Sequence, residues 1–393
     1  MPGPLDGVTV VSVEQAVAAP FATRQLADLG ARIIKIERPD GGDFARSYDH
    51  AVNGLSSYFV WLNRSKQSLT LDLKRQAARE VLDRLIARAD VFVQNLGPGV
   101  AERLGIDSPA LRACQPRLIV CEITGYGSSG PLARKKAYDM LVQAEAGLTS
   151  ITGTPETPSR VGISGADIAA GMYAMSGILT ALLGRATSGK GTLVEVSLFD
   201  ALGEWMGAPA YYAAYSATEP PRSGAAHATI APYELFLSQD GQEIYLAIQN
   251  SREWARFCER VIERPGLTHD PRFSSNALRV EHRTQLHGII ESLFAGLAAA
   301  DIVDRLESAG IACARRNTVA GFLAHPQLAE RDRWRTVDSP AGPLRALTPP
   351  VRIAGVDPNM GAVPSLGQHT REILGELGFD ESTISGWSRE QVI

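Results

Sequence analysis

Two aspartates stand where helices begin, and either could do chemistry. Asp167 lies in GISGADIAAGM (162–172), after Ser164-Gly165 and at the head of a long apolar pattern. A carboxylate at a helix start is favoured by the free backbone N–H groups and by the helix dipole. That setting is expected to keep it ionised, as a nucleophile must be. Gly162 and Gly165 would let backbone N–H groups approach a tetrahedral oxyanion. The plainer reading of Asp167 is a helix cap, because aspartate is common there. Asp139, in Ala137-Tyr138-Asp139-Met140, opens a second helical pattern and carries the same two readings.

Other motifs lead nowhere. Gly125-Tyr-Gly127-Ser-Ser-Gly130 matches a dinucleotide fingerprint, yet Pro131 and the basic run Arg134-Lys135-Lys136 follow where a helix should face the pyrophosphate. Gly184 to Lys190 is almost a phosphate loop, but Gly191 replaces the hydroxyl that would ligate magnesium. It reads as a helix end and a tight turn. Cys114, Cys121, Cys258 and Cys313 show no metal-ligand spacing, and no metal site is expected.

The elements that would position these residues alternate. Strand patterns at 8–13, 32–37, 68–73, 91–94, 118–123 and 193–198 are separated by helical ones at 20–29, 76–89, 138–148 and 163–187. This alternation predicts an α/β fold with a parallel, doubly wound sheet. After about residue 215 the texture changes. Pro, Gly and small residues fill 220–226, and a hairpin signal centres on Gln239-Asp240-Gly241. Helical patterns follow at 252–262, 283–294 and 299–309. The expected domains are 1–219, a small α+β domain at 226–319, and a return to the first at 320–393, ending in a helix at 370–377.

The chain has 393 residues, 39 Lys and Arg against 43 Asp and Glu, and a net charge of −4. A general nucleic-acid binder would carry a basic surface instead. The N-terminus is polar and does not read as a signal peptide. The stretch 163–183 is broken by Asp167, Gly171, Ser176 and Gly177, so it reads as a buried helix short of a membrane span. No membrane partner and a cytoplasmic location are expected.

Several stretches together resemble the family III CoA-transferases, a group that also includes the α-methylacyl-CoA racemases. They are residues 5–11 (LDGVTVV), 26–39 (LADLGARIIKIERP), 63–74 (NRSKQSLTLDLK), 94–105 (QNLGPGVAERLG), 123–127 (ITGYG), 189–197 (GKGTLVEVS) and 366–374 (LGQHTREIL). The resemblance implies a Rossmann-like large domain made from both chain ends, a smaller middle domain and an interlocked homodimer. It implies coenzyme A as a substrate, with no permanently bound cofactor.

It also implies roles. Asp167 would be the nucleophile, passing through an acyl anhydride and an aspartyl-CoA thioester. CoA contacts would fall on Ala18, Arg38, Leu71, Lys74, Asn95, Arg103 and Lys136. Tyr48, Tyr58 and Tyr138 match positions near the acyl pocket, and Arg46 and His227 are candidates to hold a distal carboxylate. Members acting on the smallest acids carry a Gln where this chain has Val17, and a glycine-rich lid where it has residues 223–233. The texture is closest to members that move CoA from succinyl-CoA to itaconate, citramalate or mesaconate. The alternative is racemisation, which needs a His–Asp pair and a glutamate. Here Tyr138 and Gln249 stand at those places, and a phenol of ordinary pKa near 10 is a poor base at neutral pH.

Overall fold

The computed structural model describes residues 3–393. Six parallel strands form one sheet in the order β3-β2-β1-β4-β5-β6. They are β1 (Thr9–Val13), β2 (Arg32–Glu37), β3 (Lys66–Thr70), β4 (Val91–Gln94), β5 (Ile119–Thr124) and β6 (Leu193–Ser197). Val10, Val11, Ile33, Val91, Phe92 and Ile119 are almost wholly excluded from solvent. Such apolar, β-branched runs suit strands covered by helices on both faces. The strand order reverses between β1 and β4, so the doubly wound sheet has its switch point there.

The Gly165–Ser188 helix packs against the Ala18–Asp28 helix. Its buried face is small: Ala166, Ala169, Ala170, Gly171 and Ala174. A Cβ at Gly171 would sit 2.6 Å from the Ala18 carbonyl oxygen, a backbone atom that cannot swing away. Glycine is therefore the residue that lets these helices meet. With 24 residues and a mean hydropathy of 1.4, this helix is long and apolar enough to cross a membrane, more so than its broken pattern promised.

The chain end completes the same compact unit, which comprises residues 1–147, 161–207 and 330–393. It adds no strand to the large sheet; its strands β10 (Trp334–Val337) and β11 (Leu344–Leu347) pair only with each other. Instead it covers the exposed edge. The N–H of Ser68 donates to His369 Nδ1 at 3.1 Å, the N–H of Thr70 to Thr370 Oγ1 at 3.0 Å, and the N–H of Asp72 to the Val392 carbonyl at 2.7 Å. An open edge strand is thus satisfied from within the chain. Ile373, Leu374, Ile384 and Val392 join the core beneath.

The second unit comprises Leu148–Arg160 and Ala208–Ala329. Its sheet is antiparallel, β7 (Tyr233–Leu237) beside β8 (Glu243–Ala247) beside β9 (Ala312–Arg315). Its own core gathers Phe236, Trp254, Phe257, Phe273 and Phe294. Residues 148–160 group with this unit because the Arg222 guanidinium donates to the carbonyls of Ser150, Thr154 and Pro155.

Candidate active site

Below the switch point, the carboxyl ends of β1, β2 and β3 open into a crevice of about 600 Å³. Arg38, Lys74 and Arg75 line it together with Asp40 and Asp72, and Leu71 is buried in its floor. The residues predicted to contact CoA sort by what they touch. Ala18 opens the first helix and is buried. Asn95 accepts from the Gln15 N–H and donates to the Gln15 carbonyl, both at 2.8 Å, and so fixes the loop between β1 and that helix. Arg103 lies on the Val100–Leu104 helix, where its guanidinium and that of Arg134 converge over Gly99. Lys136 is exposed on the loop after β5.

That loop contains Gly125, Gly127 and Gly130 and enters no helix until Asp139, so the dinucleotide fingerprint lacks its helix terminus. Gly189 ends the long helix with φ of 71°, the helix end expected of the near phosphate loop.

Under the crevice lies a set of buried charges that the sequence reading missed. Lys35 Nζ donates to Asp43 Oδ2 at 2.7 Å, and Lys66 Nζ to Glu14 Oε1 at 2.7 Å. Thr23 donates to Glu14 and Ser68 to Glu37. Asp43 also accepts from the N–H groups of Ala16 and Ala45. Three acids (Glu14, Glu37, Asp43) face three bases (Lys35, Arg46, Lys66), so the cluster is balanced, as buried charges must be. A signal existed: Lys35 and Glu37 are two apart among the apolar residues Ile33, Ile34 and Ile36, hence on one face of the strand.

Arg46, a candidate to hold a distal carboxylate, belongs to this cluster. Its guanidinium forks onto Glu37 at 2.8 and 2.7 Å and stacks over Phe59 at 3.7 Å. Its charge is already matched. Burial works against ionised Glu37, but the Arg46 hydrogen bonds, with Lys35 and Ser68, hold its carboxyl at about 2.

Asp167 is the third residue of the Gly165–Ser188 helix and is half-buried. It is not the helix cap. Asp139 Oδ1 accepts from the N–H of Ala166 at 2.8 Å and from that of Asp167 at 3.3 Å. Asp139 Oδ2 accepts from Gln143 Nε2 at 2.7 Å. Gln143 is fully buried and also accepts from the Val161 N–H. Among the described residues, no hydrogen bond or ion pair reaches the Asp167 carboxylate. Burial, and then the charge of Asp139, raise its pKa to about 7. The expectation that the helix end keeps it ionised is therefore corrected: the donors that would do so serve Asp139 instead. The Gly165 N–H is likewise spent on the Ile163 carbonyl at 2.9 Å and offers nothing to an oxyanion.

Three phenols complete the site. Tyr48 meets Tyr58 edge-on at 5.5 Å. Burial, Asp43 and Asp167 push the Tyr48 phenol up to about 12, with Tyr138 and Tyr58 adding to the effect. Tyr48 therefore stays protonated at neutral pH and can donate a hydrogen bond. The structure thus sets Tyr48 beside Asp167, with Tyr58 and Tyr138 next to Tyr48. In the second unit His227 stacks on Tyr233 at 5.3 Å and accepts from the Thr229 N–H. The Gln249 N–H donates to Glu253.

Once deprotonated, an uncapped carboxylate beside a phenol can attack a carbonyl carbon, and a crevice at a switch point with Arg38, Lys74 and Arg75 in its lining can hold a phosphorylated carrier. The sequence pattern of CoA-transferase family III matches residues 5–370. The succinyl-CoA:glutarate CoA-transferase of Mus musculus is 33% identical, over 97% of this chain and 88% of its own. The acetyl-CoA:oxalate CoA-transferase of Acetobacter aceti is 35% identical, over 90% of each. A crystal structure of a CAIB/BAIF family protein from Brucella suis superposes with a TM-score of 0.83 at 33% identity, covering 96% of this chain and all of that one.

Proposed function

Because the chain belongs to CoA-transferase family III, we propose that it moves CoA from succinyl-CoA to a small dicarboxylic acid such as itaconate, citramalate or mesaconate, through Asp167. The observation that carries this reading is the unpaired Asp167 carboxylate, set beside the Tyr48 phenol in the unit that also forms the crevice lined by Arg38 and Lys74.

In the first step an Asp167 oxygen attacks the thioester carbonyl. A C–O bond forms, the C–S bond breaks, and CoA leaves as thiolate. The thiolate then attacks the Asp167 carbonyl of the mixed anhydride, releasing succinate and leaving CoA on the aspartate. The acceptor carboxylate attacks that thioester, and the returning thiolate takes the new acyl group and frees Asp167. Tyr48, held protonated, donates a hydrogen bond to carboxylate or oxyanion oxygens. Arg38 and Lys74 bind the phosphates of CoA. The active species is a homodimer.

The donor follows the name of the mouse relative, whose two acids have four and five carbons; the oxalate relative marks the competing choice of a two-carbon acceptor. The test is incubation with succinyl-CoA, trapping by hydroxylamine or borohydride, and mass spectrometry of the Asp167 peptide. Modification at Asp167 is expected; an active enzyme with that peptide unmodified sinks the reading.

A near-neutral pKa at Asp167 also suits a general acid or base, and so favours a second reading, α-proton exchange. Deuterium uptake at the α-carbon in D₂O, without any acceptor acid, identifies that activity.

A further inference from the structure

We infer that Asp139 is a positioning residue for the nucleophile, which withdraws the helix-end donors from Asp167 and sets a second negative charge beside it. The inference rests on Asp167 being the nucleophile, and it adds a reason why that carboxylate reacts.

The argument begins with the donors. The first turn of a helix offers free N–H groups, and an acid there normally takes them and becomes more acidic. In the Gly165–Ser188 helix the N–H groups of Ala166 and Asp167 point to one acceptor, Asp139 Oδ1, from outside the helix. The helix has no side-chain cap of its own at Ser164. Asp139 cannot turn away easily. Its other oxygen is held by Gln143, and Gln143 is fixed by the Val161 N–H and the Ile163 carbonyl.

The ionisable groups facing Asp167 are Asp139, from the Asp139–Glu145 helix, and Tyr48, from the segment after the Phe44–Ser47 turn; Tyr58 and Tyr138 lie beside Tyr48. None of them is a cation. The nucleophile's charge is therefore met by desolvation and by a like charge, and both raise its basicity.

This arrangement favours the forward chemistry in a specific way. When Asp167 acylates, its negative charge leaves with the CoA sulfur, and Asp139 is left alone with its two N–H donors. Repulsion present in the free enzyme is absent from both the anhydride and the aspartyl-CoA thioester. The covalent states are thereby favoured relative to the free carboxylate. A more basic carboxylate is also a better nucleophile once deprotonated.

The test uses the full-length enzyme with succinyl-CoA and follows formation of the Asp167 adduct by quenched mass spectrometry from pH 5 to 9. For the wild type, the acid limb of the rate should have its midpoint near pH 7. In Asp139→Asn the amide oxygen still accepts the two N–H groups but the charge is gone, and the midpoint should fall by about one pH unit or more. Asp139→Glu keeps the charge, and its midpoint should stay near the wild-type value. A purely structural role would lower the rate in both variants at every pH without moving the midpoint. That result, or an unchanged midpoint in Asp139→Asn, overturns the inference while leaving Asp167 as the nucleophile. Absence of any adduct on wild-type Asp167 overturns both. Should Asp139→Asn fail to fold by circular dichroism, the wild-type limb decides: a midpoint near the ordinary carboxylate value of about 4 rejects the inference.

Discussion

The crevice floor and the Asp139–Asp167 pair are both built from buried or half-buried acids, and they differ in one respect. Every acid in the floor has a base: Lys35 with Asp43, Lys66 with Glu14, Arg46 with Glu37. Among the described residues, the two aspartates at the long helix have no base between them. Paired charges hold backbone in place, here the Gln15–Val17 loop and the turn at Phe44–Ser47. An unpaired charge remains available to react. The same residue type thus serves as scaffold in the floor and, in the proposed reaction, as reagent, according to what stands opposite it.

The sharpest way to break this comparison is at the reagent. Asp167→Asn should remove the covalent adduct and lower turnover by about four orders of magnitude or more, while equilibrium binding of CoA, measured by calorimetry, is retained. Loss of binding in proportion would make Asp167 a scaffold residue. Next comes the floor. Lys35→Met leaves Asp43 buried without its partner and should cost roughly 3–5 kcal/mol in denaturant unfolding; a loss below about 1 kcal/mol would mean that the floor pairs stabilise little.

A smaller effect concerns acid. Glu37 sits at about 2 in the folded state, against 4.5 as its reference. A depressed folded pKa gives stability that is complete above the unfolded value and is lost as pH falls through the folded one. Stability should therefore drop by about 3 kcal/mol between pH 4.5 and 2 from this group alone. In Glu37→Gln that part of the pH dependence should vanish, as followed by urea midpoints across the range. The smallest effect is at the rim. Arg38→Ala should raise the KM for succinyl-CoA by about tenfold with kcat unchanged, and the wild-type KM should rise with salt more steeply than the variant's.

Much of this was legible in the chain itself. Five of the six strands were legible to within one residue, because buried parallel strands leave little room for polar residues, and β2 and β4 fall on their predicted spans; β3 was expected at 68–73 but runs Lys66–Thr70, its polar start Lys66-Gln67-Ser68 hiding it. Asp167 at a helix start and the phenols near it were also legible. What stayed hidden depended on distant partners. Nothing near Arg46 shows that Glu37 will claim it. Nothing near Asp167 shows that Asp139, 28 residues earlier, will take its N–H groups. The last helix, Glu381–Arg389, escaped because its pattern is weak beside its cap, in which Asp380 accepts from the Thr383 N–H.

The edge of β3 is sealed by residues about 300 positions later in the chain, and Gln391 and Ile393 line the crevice itself. During synthesis the ribosome must therefore make the whole second unit before the first can be finished. The nascent strands wait meanwhile with one flank bare, a target for chaperones and for mispairing. Anything fused after Ile393 would emerge beside that crevice.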